Sequence, residues 1–287
     1  MKKLIVEAPA KINLILNILH KRNDGYHELE TIMHQINLID IISIELSGKD
    51  ITVATNSKLI PSGQENLAYK AAALFMEKNG IKAGVNIIIE KNIPVGAGLA
   101  GGSTDAAAVL SGLNRLFGLQ LSLTTLQKMA AEIGSDVAFC LSSTTVLARG
   151  RGEKLNTVAK GPELNLVLVV PEFQVSTAEV YQNYKFDNKQ QSPDIAAFIK
   201  AWQDCNIIEI ASQLNNDLES VTTKKYHEIN LIKDQLKEIG AINALMSGSG
   251  PSVFGIFPDQ YKAEIAANVL QKTYRQVFLV TSYYRSD

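Results

Sequence analysis

The chain has 287 residues, about twice the commonest domain length, so its length predicts two domains or one large one. Lysine and arginine number 28 against 29 aspartates and glutamates, and this net charge of -1 argues against a protein built around nucleic acid or an anionic membrane. Hydrophobic residues at 46% and charged residues at 20% are typical of a globular core and exclude a disordered chain.

The sequence shows no signal of a membrane, secreted, disulfide-rich or metal-binding protein. No apolar run approaches the ~20 residues of a membrane-spanning helix, and no signal segment opens the chain, so we expect a cytoplasmic protein. The two cysteines have no CxxC spacing, which indicates neither a disulfide framework nor a zinc site. His20, His27 and His34 are spaced by seven, and an odd spacing in strands places neighbours on opposite faces, so we predict no metal centre from them.

The first predicted elements are strands. Apolar residues alternate strictly from Ile12 to Ile18, and further strands are predicted over residues 28–34, 41–46 and 51–54, with turns between them. A helix is predicted to end before Gly80, and residues 85–90 return to strand. A glycine-rich loop then leads into predicted helices over residues 103–117 and 123–133, followed by a short one near Ser135.

A turn at residues 160–162 separates this part from a second series of elements. That series reads as a buried strand over 164–170, helices, two strands, a helix and a final strand over 277–284. Both parts mix hairpin-type strands with helices and do not repeat βαβ units, so the predicted fold class is α+β. We place the boundary near Gly161, which gives domains of residues 1–161 and 162–287.

The strongest local signal is the glycine-rich loop. Gly96, Gly98 and Gly101 satisfy G-x-G-x-x-G between a predicted strand and a predicted helix, a setting in which backbone N–H groups and the helix dipole can bind phosphate. A plain structural turn is the alternative. No acidic residue lies between Asp105 and Glu132 to bind a ribose, and no G-x-x-x-x-G-K string occurs, so neither an NAD site nor a Walker loop is indicated.

Three polar features allow two interpretations each. Lys11 shares a predicted strand face with Asn13 and Asn17, and this face is either solvated or turned towards a ligand. Asp136 opens a short apolar helix, as a dipole-stabilised capping residue or as a catalytic base. The turn at residues 247–251 is either a tight β connection or a loop over an active site. With an anion loop, a cation and a carboxylate, phosphoryl transfer is chemically possible.

Three segments together resemble the GHMP kinase superfamily: Pro9-Ala10-Lys11-Ile12-Asn13-Leu14, the loop at residues 94–104, and Ser247-Gly248-Ser249-Gly250-Pro251. The string Asp24-Gly25-Tyr26-His27 resembles the branch that acts on a cytidyl diphosphate sugar alcohol. Further matches to that branch lie at residues 64–67, 134–141 and 150–155, and the resemblance covers essentially the whole chain in order.

The resemblance implies a fold and an activity. The N-terminal domain would be ribosomal-protein-S5-domain-2-like and the C-terminal domain ferredoxin-like. The enzyme would transfer the γ-phosphate of ATP, with Mg²⁺ bound mainly through water and phosphate, to the 2-hydroxyl of the methylerythritol unit in the non-mevalonate route to isoprenoids. No protein metal ligands, nucleic acid or membrane partner would be involved.

The resemblance also assigns residues. Asp136 would be the general base, with Lys11 beside it and the attacking hydroxyl. Asn13 would contact the erythritol unit, Tyr26 and His27 would recognise cytosine, and Tyr181 would complete the stack. Asn66 and Leu67 would border the adenine. The triphosphate would be wrapped by Pro94, Val95, Gly96, Ala97, Gly98, Leu99, Ala100, Gly101, Gly102, Ser103 and Thr104.

Departures from the family pattern leave specific questions. Ala100 stands where glycine is usual and could crowd a phosphate if its backbone needs a positive φ, while Thr104 replaces serine and Ala138 replaces a common proline. Two alternative functions remain: another GHMP kinase, for homoserine or mevalonate, and a nucleotide-binding protein without catalysis. Tyr26 and His27 argue against the first, and intact Lys11 and Asp136 argue against the second.

Overall fold

The computed structural model describes residues 3–142, 145–186 and 192–284. These residues form two compact units that interleave along the chain. Unit 1 contains residues 3–11, 38–95 and 100–142, and unit 2 contains residues 12–37, 96–99 and the described residues from 145 onward. The domain boundary at Gly161 stays a prediction.

Eleven strands and ten helices lie in the described ranges. The strands are β1 (Lys3–Lys21), β2 (His27–Ser47), β3 (Ile51–Thr55), β4 (Gly84–Glu90), β5 (Val146–Gly150), β6 (Lys154–Thr157), β7 (Asn165–Val169), β8 (Asn215–Asn216), β9 (Asn243–Met246), β10 (Val253–Phe257) and β11 (Val277–Thr281). The helices are α1 (Leu67–Lys78), α2 (Gly101–Phe117), α3 (Leu123–Ile133), α4 (Ser135–Cys140), α5 (Thr177–Asn183), α6 (Ile195–Gln203), α7 (Ile207–Ser212), α8 (Glu219–Lys225), α9 (Glu228–Glu238) and α10 (Gln260–Leu270).

The larger sheet has seven strands in the order β3-β4-β2-β1-β8, with β5 on β2 and β6 on β5. In unit 1, β4 pairs antiparallel with the second half of β2, with Ile44 opposite Ile87, and parallel with β3. In unit 2, β5 pairs antiparallel with the first half of β2, with Ile32 opposite Leu147. The long strands β1 and β2 therefore contribute residues to both units.

Helix α2 is the buried helix of unit 1. It packs against α1 and α4, and the small residues Ala106 and Ala107 are fully buried where the helices approach. Gly112 is required further along α2, since an added Cβ would lie 2.5 Å from Ile44 Cδ1. This packing fixes the first turn of α2, which follows the glycine-rich loop directly.

The smaller sheet lies in unit 2 and has the order β11-β7-β10-β9, with every neighbouring pair antiparallel. Chain order is strand, helices, two strands, helix, strand, which is the ferredoxin-like β-α-β-β-α-β pattern. Val167, Val253 and Met246 belong to a core that also includes Ile232 of α9 and Ala266 of α10. The predicted α+β class and ferredoxin-like C-terminal part are confirmed.

The predicted break between residues 34 and 41 is wrong, because β2 continues through it. Two polar residues in the interval perform specific roles within a strand. Asn37 accepts a hydrogen bond from the Thr281 backbone N–H at 2.8 Å, and Asp40 accepts backbone bonds from Asn92 and Ile93. A polar side chain that accepts backbone hydrogen bonds within a strand looks in the sequence like a turn residue.

The short strands β6 and β8 carry too little pattern to predict, and the sequence analysis missed both. No helix within the described ranges is long and apolar enough to cross a membrane.

Candidate active site

Lys11 and Asp136 are brought together in unit 1. Lys11 lies on β1 and Asp136 in the first turn of α4, with Lys11 Nζ 3.7 Å from Asp136 Oδ2. The two side chains of the pair differ in exposure: Lys11 is 6% exposed and Asp136 is 41% exposed. A mostly buried ammonium therefore lies beside a carboxylate that a ligand can reach. The solvated interpretation of the Lys11 strand face is wrong, because Lys11, Asn13 and Asn17 are all buried.

The buried thiol of Cys140 interacts both with this pair and with the first turn of α2. Burial raises the pKa of Cys140 far above its usual range; the charge of Asp136 raises it further, while Lys11 and the neighbouring Thr104 side chain lower it. Asp105 adds a weaker raising effect. The thiol therefore stays protonated, and the groups that influence it belong to the catalytic pair and to the end of the glycine-rich loop.

The glycine-rich loop alternates left-handed backbone conformations. Gly96, Gly98 and Ala100 have φ values of 72°, 75° and 57°. Ala100 is the N-cap of α2 and offers no side-chain cap, so the first N–H groups of the helix, at Gly101, Gly102 and Ser103, are left for another acceptor. The arrangement suits an anion at the start of α2. Ala100 therefore has the positive φ at which alanine is less stable than the glycine that is usual at this position.

The second glycine-rich segment binds the middle of that loop within unit 2. Ser247 donates its hydroxyl to the Gly98 carbonyl at 3.1 Å, and Ser252 donates its hydroxyl to the Ala97 carbonyl at 2.6 Å. A Cβ on Gly98 would lie 2.4 Å from the Ser247 carbonyl oxygen, so only glycine fits there. The segment connects β9 and β10, as predicted, and it also shapes the loop.

Asn66 and Leu67 begin helix α1. The Asn66 side chain caps α1 by accepting from the Ala68 N–H at 2.8 Å, and its amide donates to the Pro61 carbonyl at 2.7 Å. Leu67 Cδ1 lies 3.5 Å from the position of a Cβ on Gly102. The structure thus places Leu67 next to the predicted phosphate segment and commits the Asn66 side chain to local structure.

The predicted substrate residues lie in unit 2. His27 and Tyr181 are brought together, with ring centroids 5.4 Å apart, and Tyr184 meets His27 edge-on at 6.3 Å. Burial lowers the pKa of His27, with a further lowering from Lys21, so the ring is neutral at pH 7. Tyr26 is 56% exposed, and the Arg151 guanidinium lies 5.0 Å from its ring centroid.

Asn13 is held by a residue that the sequence analysis did not single out. It donates its amide to Thr31 Oγ1 at 2.9 Å, and Thr31 in turn donates to the Ile15 carbonyl at 2.6 Å. Arg151 was also missed, although it lies in the family-like segment at residues 150–155. The roles assigned to individual side chains stay predictions.

Buried charges form a further group that no local pattern indicated, and we name Asp40, Lys91 and Asp105 the carboxylate–lysine cluster. Lys91 Nζ bonds to Asp40 Oδ2 and, at 2.9 Å, to Asp105 Oδ2. All three side chains are at most 4% exposed. Across the residues that the structure describes, no three histidine, cysteine, aspartate or glutamate side chains are grouped to hold a metal ion.

Comparisons with known proteins extend over the whole molecule. The model of the GHMP kinases N-terminal domain matches residues 66–144, and the model of the GHMP kinases C-terminal domain matches residues 196–276. A 4-diphosphocytidyl-2-C-methyl-D-erythritol kinase of Syntrophomonas wolfei subsp. wolfei is 53% identical over 98% of this chain and 99% of its own. The chain belongs to this kinase family. The corresponding kinase of Bacillus subtilis (strain 168) is 46% identical over 97% of this chain and 96% of its own.

Solved structures agree with the assignment. A crystal structure of a 4-(cytidine 5'-diphospho)-2C-methyl-D-erythritol kinase aligns with a TM-score of 0.85 at 33% identity, over 98% of this chain and 100% of that one. A homoserine kinase from Cytophaga hutchinsonii aligns with a TM-score of 0.81 at 21% identity, over 99% of this chain and 96% of that one, which shows the shared fold alone. The predicted GHMP kinase fold and family are confirmed. The protein is an ATP-dependent phosphotransferase with an alcohol acceptor.

Proposed function

We propose that this protein phosphorylates the 2-hydroxyl of 4-diphosphocytidyl-2-C-methyl-D-erythritol in the cytoplasm, with MgATP as donor, in the non-mevalonate route to isoprenoids. The observation that carries the chemistry is the Lys11–Asp136 pair, 3.7 Å apart, in the same compact unit as the uncapped start of α2. Family membership supplies the donor and acceptor, and this pair supplies a base and a cation for the transfer.

The start of α2 would hold the triphosphate. Its free N–H groups and the positive end of its dipole favour an anion in a chain whose net charge is only -1. Mg²⁺, when bound, neutralises phosphate charge and keeps several of its own waters.

Asp136 would accept the proton of the 2-hydroxyl as that oxygen attacks the γ-phosphorus. The new oxygen–phosphorus bond forms while the bond to the departing ADP oxygen breaks, and the proton ends on the Asp136 carboxylate. Lys11 stabilises the negative charge that develops on the attacking oxygen. Because Lys11 is buried, its ammonium interacts with that oxygen through a medium less polarisable than water.

The acceptor would be recognised through its cytosine and its sugar alcohol. The exposed ring of Tyr26 and the His27–Tyr181 ring pair offer flat apolar surfaces for a base, and Thr31 orients the Asn13 amide for a hydroxyl. Homoserine and mevalonate have no flat ring to occupy such a surface.

The proposal is tested by acceptor choice. Purified protein with MgATP should release ADP when given 4-diphosphocytidyl-2-C-methyl-D-erythritol and remain inactive with homoserine or mevalonate, and phosphorus NMR should place the new phosphate on the 2-oxygen. Turnover of homoserine without turnover of the cytidyl substrate would assign another GHMP activity. ATP binding with no acceptor turned over would support a non-catalytic protein instead.

A further inference from the structure

The carboxylate–lysine cluster lies at both ends of the phosphate-binding loop. Asp40 accepts backbone hydrogen bonds at Oδ1 from Asn92 at 2.5 Å and from Ile93 at 2.8 Å, just before Pro94 opens the loop. Asp105 lies in α2, four residues after the helix begins, at the other end. Lys91 bonds to both carboxylates, so one ammonium connects the entrance and the exit of the loop.

The exit is in direct contact with the same ammonium. A Cβ on Gly101 would lie 2.8 Å from Lys91 Nζ, so glycine at the first position of α2 leaves the space that the ammonium needs. Lys91 is also fixed through its backbone, because its N–H donates to Asn56 Oδ1 at 2.8 Å. Between these fixed ends the loop must reach the alternating conformation in which Gly96, Gly98 and Ala100 have positive φ.

The cluster is also electrically unbalanced. One ammonium between two ionised carboxylates carries a net charge of -1, in the unit that contains the start of α2. Burial raises the pKa of Asp105 to about 7, with a further rise from Asp40 and an opposing effect of Lys91. Asp105 Oδ1 is buried, and no hydrogen-bond partner for it occurs in the described part of the chain. From α4, the Cys140 thiol faces this region as a protonated, neutral group.

We propose that Lys91 is a positioning residue for nucleotide binding: with Asp40 and Asp105 it fixes both ends of the phosphate loop and so sets the affinity for ATP without touching the ligand. This inference rests on the proposed function only in that residues 94–104 bind the triphosphate. It concerns ATP binding, which can be measured without any acceptor.

The first test compares two lysines. Lys91→Met should raise both the KM for ATP and the Kd from calorimetry by about tenfold or more, while the acceptor KM stays within twofold. Because Lys91→Met leaves two unpaired buried carboxylates, the charge-balanced variant Asp40→Asn/Lys91→Met/Asp105→Asn is measured beside it. Lys78→Met is the control, since Lys78 pairs with Glu132 at the C-terminal ends of α1 and α3 in the same unit; its KM for ATP should stay within twofold.

The second test is the split between KM and kcat. A purely structural defect would reduce the fraction of active enzyme and so the apparent kcat, whereas a positioning role predicts that Lys91→Met keeps kcat at saturating ATP within about threefold while its KM for ATP rises.

The outcomes separate the two proposals. If the unaltered enzyme turns over the cytidyl substrate but Lys91→Met and the charge-balanced variant bind ATP normally, the positioning role is overturned and the function stands. An apparent kcat that falls in Lys91→Met with no rise in the KM for ATP would overturn it as well. If the substrate test fails while Lys91→Met weakens ATP binding as expected, the acceptor assignment is wrong and the positioning role stands.

Discussion

The interaction between Lys11 and Asp136 predicts a specific pattern of kinetic losses. Asp136→Asn keeps the shape of the side chain and removes its ability to accept a proton. Loss of a general base costs about 10²- to 10⁴-fold in rate, so we expect kcat to fall by about a thousandfold. In the proposed site ATP binds through the start of α2 and not through Asp136, so its Kd should change less than twofold.

The charge interaction has a magnitude that follows from the distance. Unit charges 3.7 Å apart, as Lys11 Nζ and Asp136 Oδ2 are, interact by about 1 kcal/mol in water and about 4 kcal/mol at an effective dielectric of 20. One partner is 6% exposed and the other 41%, which places the pair between these limits, at about 2 kcal/mol. The same ammonium beside the attacking oxygen would stabilise its developing negative charge by a similar amount, so Lys11→Met should lower kcat by about 30-fold.

A double-mutant cycle measures whether the two residues act as a unit. Single-turnover rates are compared for Asp136→Asn, Lys11→Met and the double variant, with ATP affinity measured by calorimetry as the control for folding. The double variant should be little slower than Asp136→Asn, since Lys11 has no alkoxide to stabilise once the base is absent. Full additivity of the two losses would refute this coupling, and normal kcat in Asp136→Asn would show that the base lies elsewhere.

Three further predictions concern single residues. Ala100→Gly relieves the strain of a left-handed alanine, about 1–2 kcal/mol, but stabilises the unfolded chain by about 0.4–1 kcal/mol of entropy. Urea unfolding should therefore show a net rise of about 0.5–1 kcal/mol in the free energy of unfolding. As a control, Ala97→Gly, at a buried site in the same loop, should lower the free energy of unfolding. Burial lowers the pKa of His34 to about 3, so the buried neutral ring contributes fully to folding stability above pH 6.5, and this contribution is lost as pH falls. Stability should drop by about 2–3 kcal/mol from pH 6.5 to 4.5, and less in His34→Gln. Tyr181→Leu removes an aromatic contact of about 0.5–1.5 kcal/mol, so the acceptor KM should rise about 3- to 10-fold with the KM for ATP unchanged.

The sequence predicted elements well where one periodicity dominates. Helix α3 begins after Ser122 and ends at Ile133 as expected, because a capping side chain and an apolar face agree. On β1 the alternation of polar and apolar residues predicted the strand but left two interpretations of its polar face open, solvated or turned towards a ligand. Asn13 and Asn17 are buried on that face, and periodicity alone cannot tell a ligand-side polar face from a wet one.

Long-range polar pairing is what the sequence could not reveal. Asp40 and Lys91 lie 51 residues apart, and nothing in either neighbourhood indicates the other. Thr31 lies 18 residues from Asn13, on the neighbouring long strand, and only the folded chain brings the two side chains together. By contrast, the local G-x-G-x-x-G pattern located the glycine-rich loop. The resemblance raised the question of whether Ala100 has a positive φ, and the structure gives it a φ of 57°.

The contact between the two glycine-rich segments has a consequence for how the enzyme is made. Ala97 and Gly98 take their hydrogen bonds from Ser252 and Ser247, about 150 positions later in the chain. During synthesis, the N-terminal segment leaves the ribosome with its whole phosphate loop but without these donors. Contacts so distant in sequence form late, because a long stretch of chain must be closed first. A nascent chain that already contains every proposed catalytic group would therefore be unable to bind ATP firmly until nearly all of it has been translated.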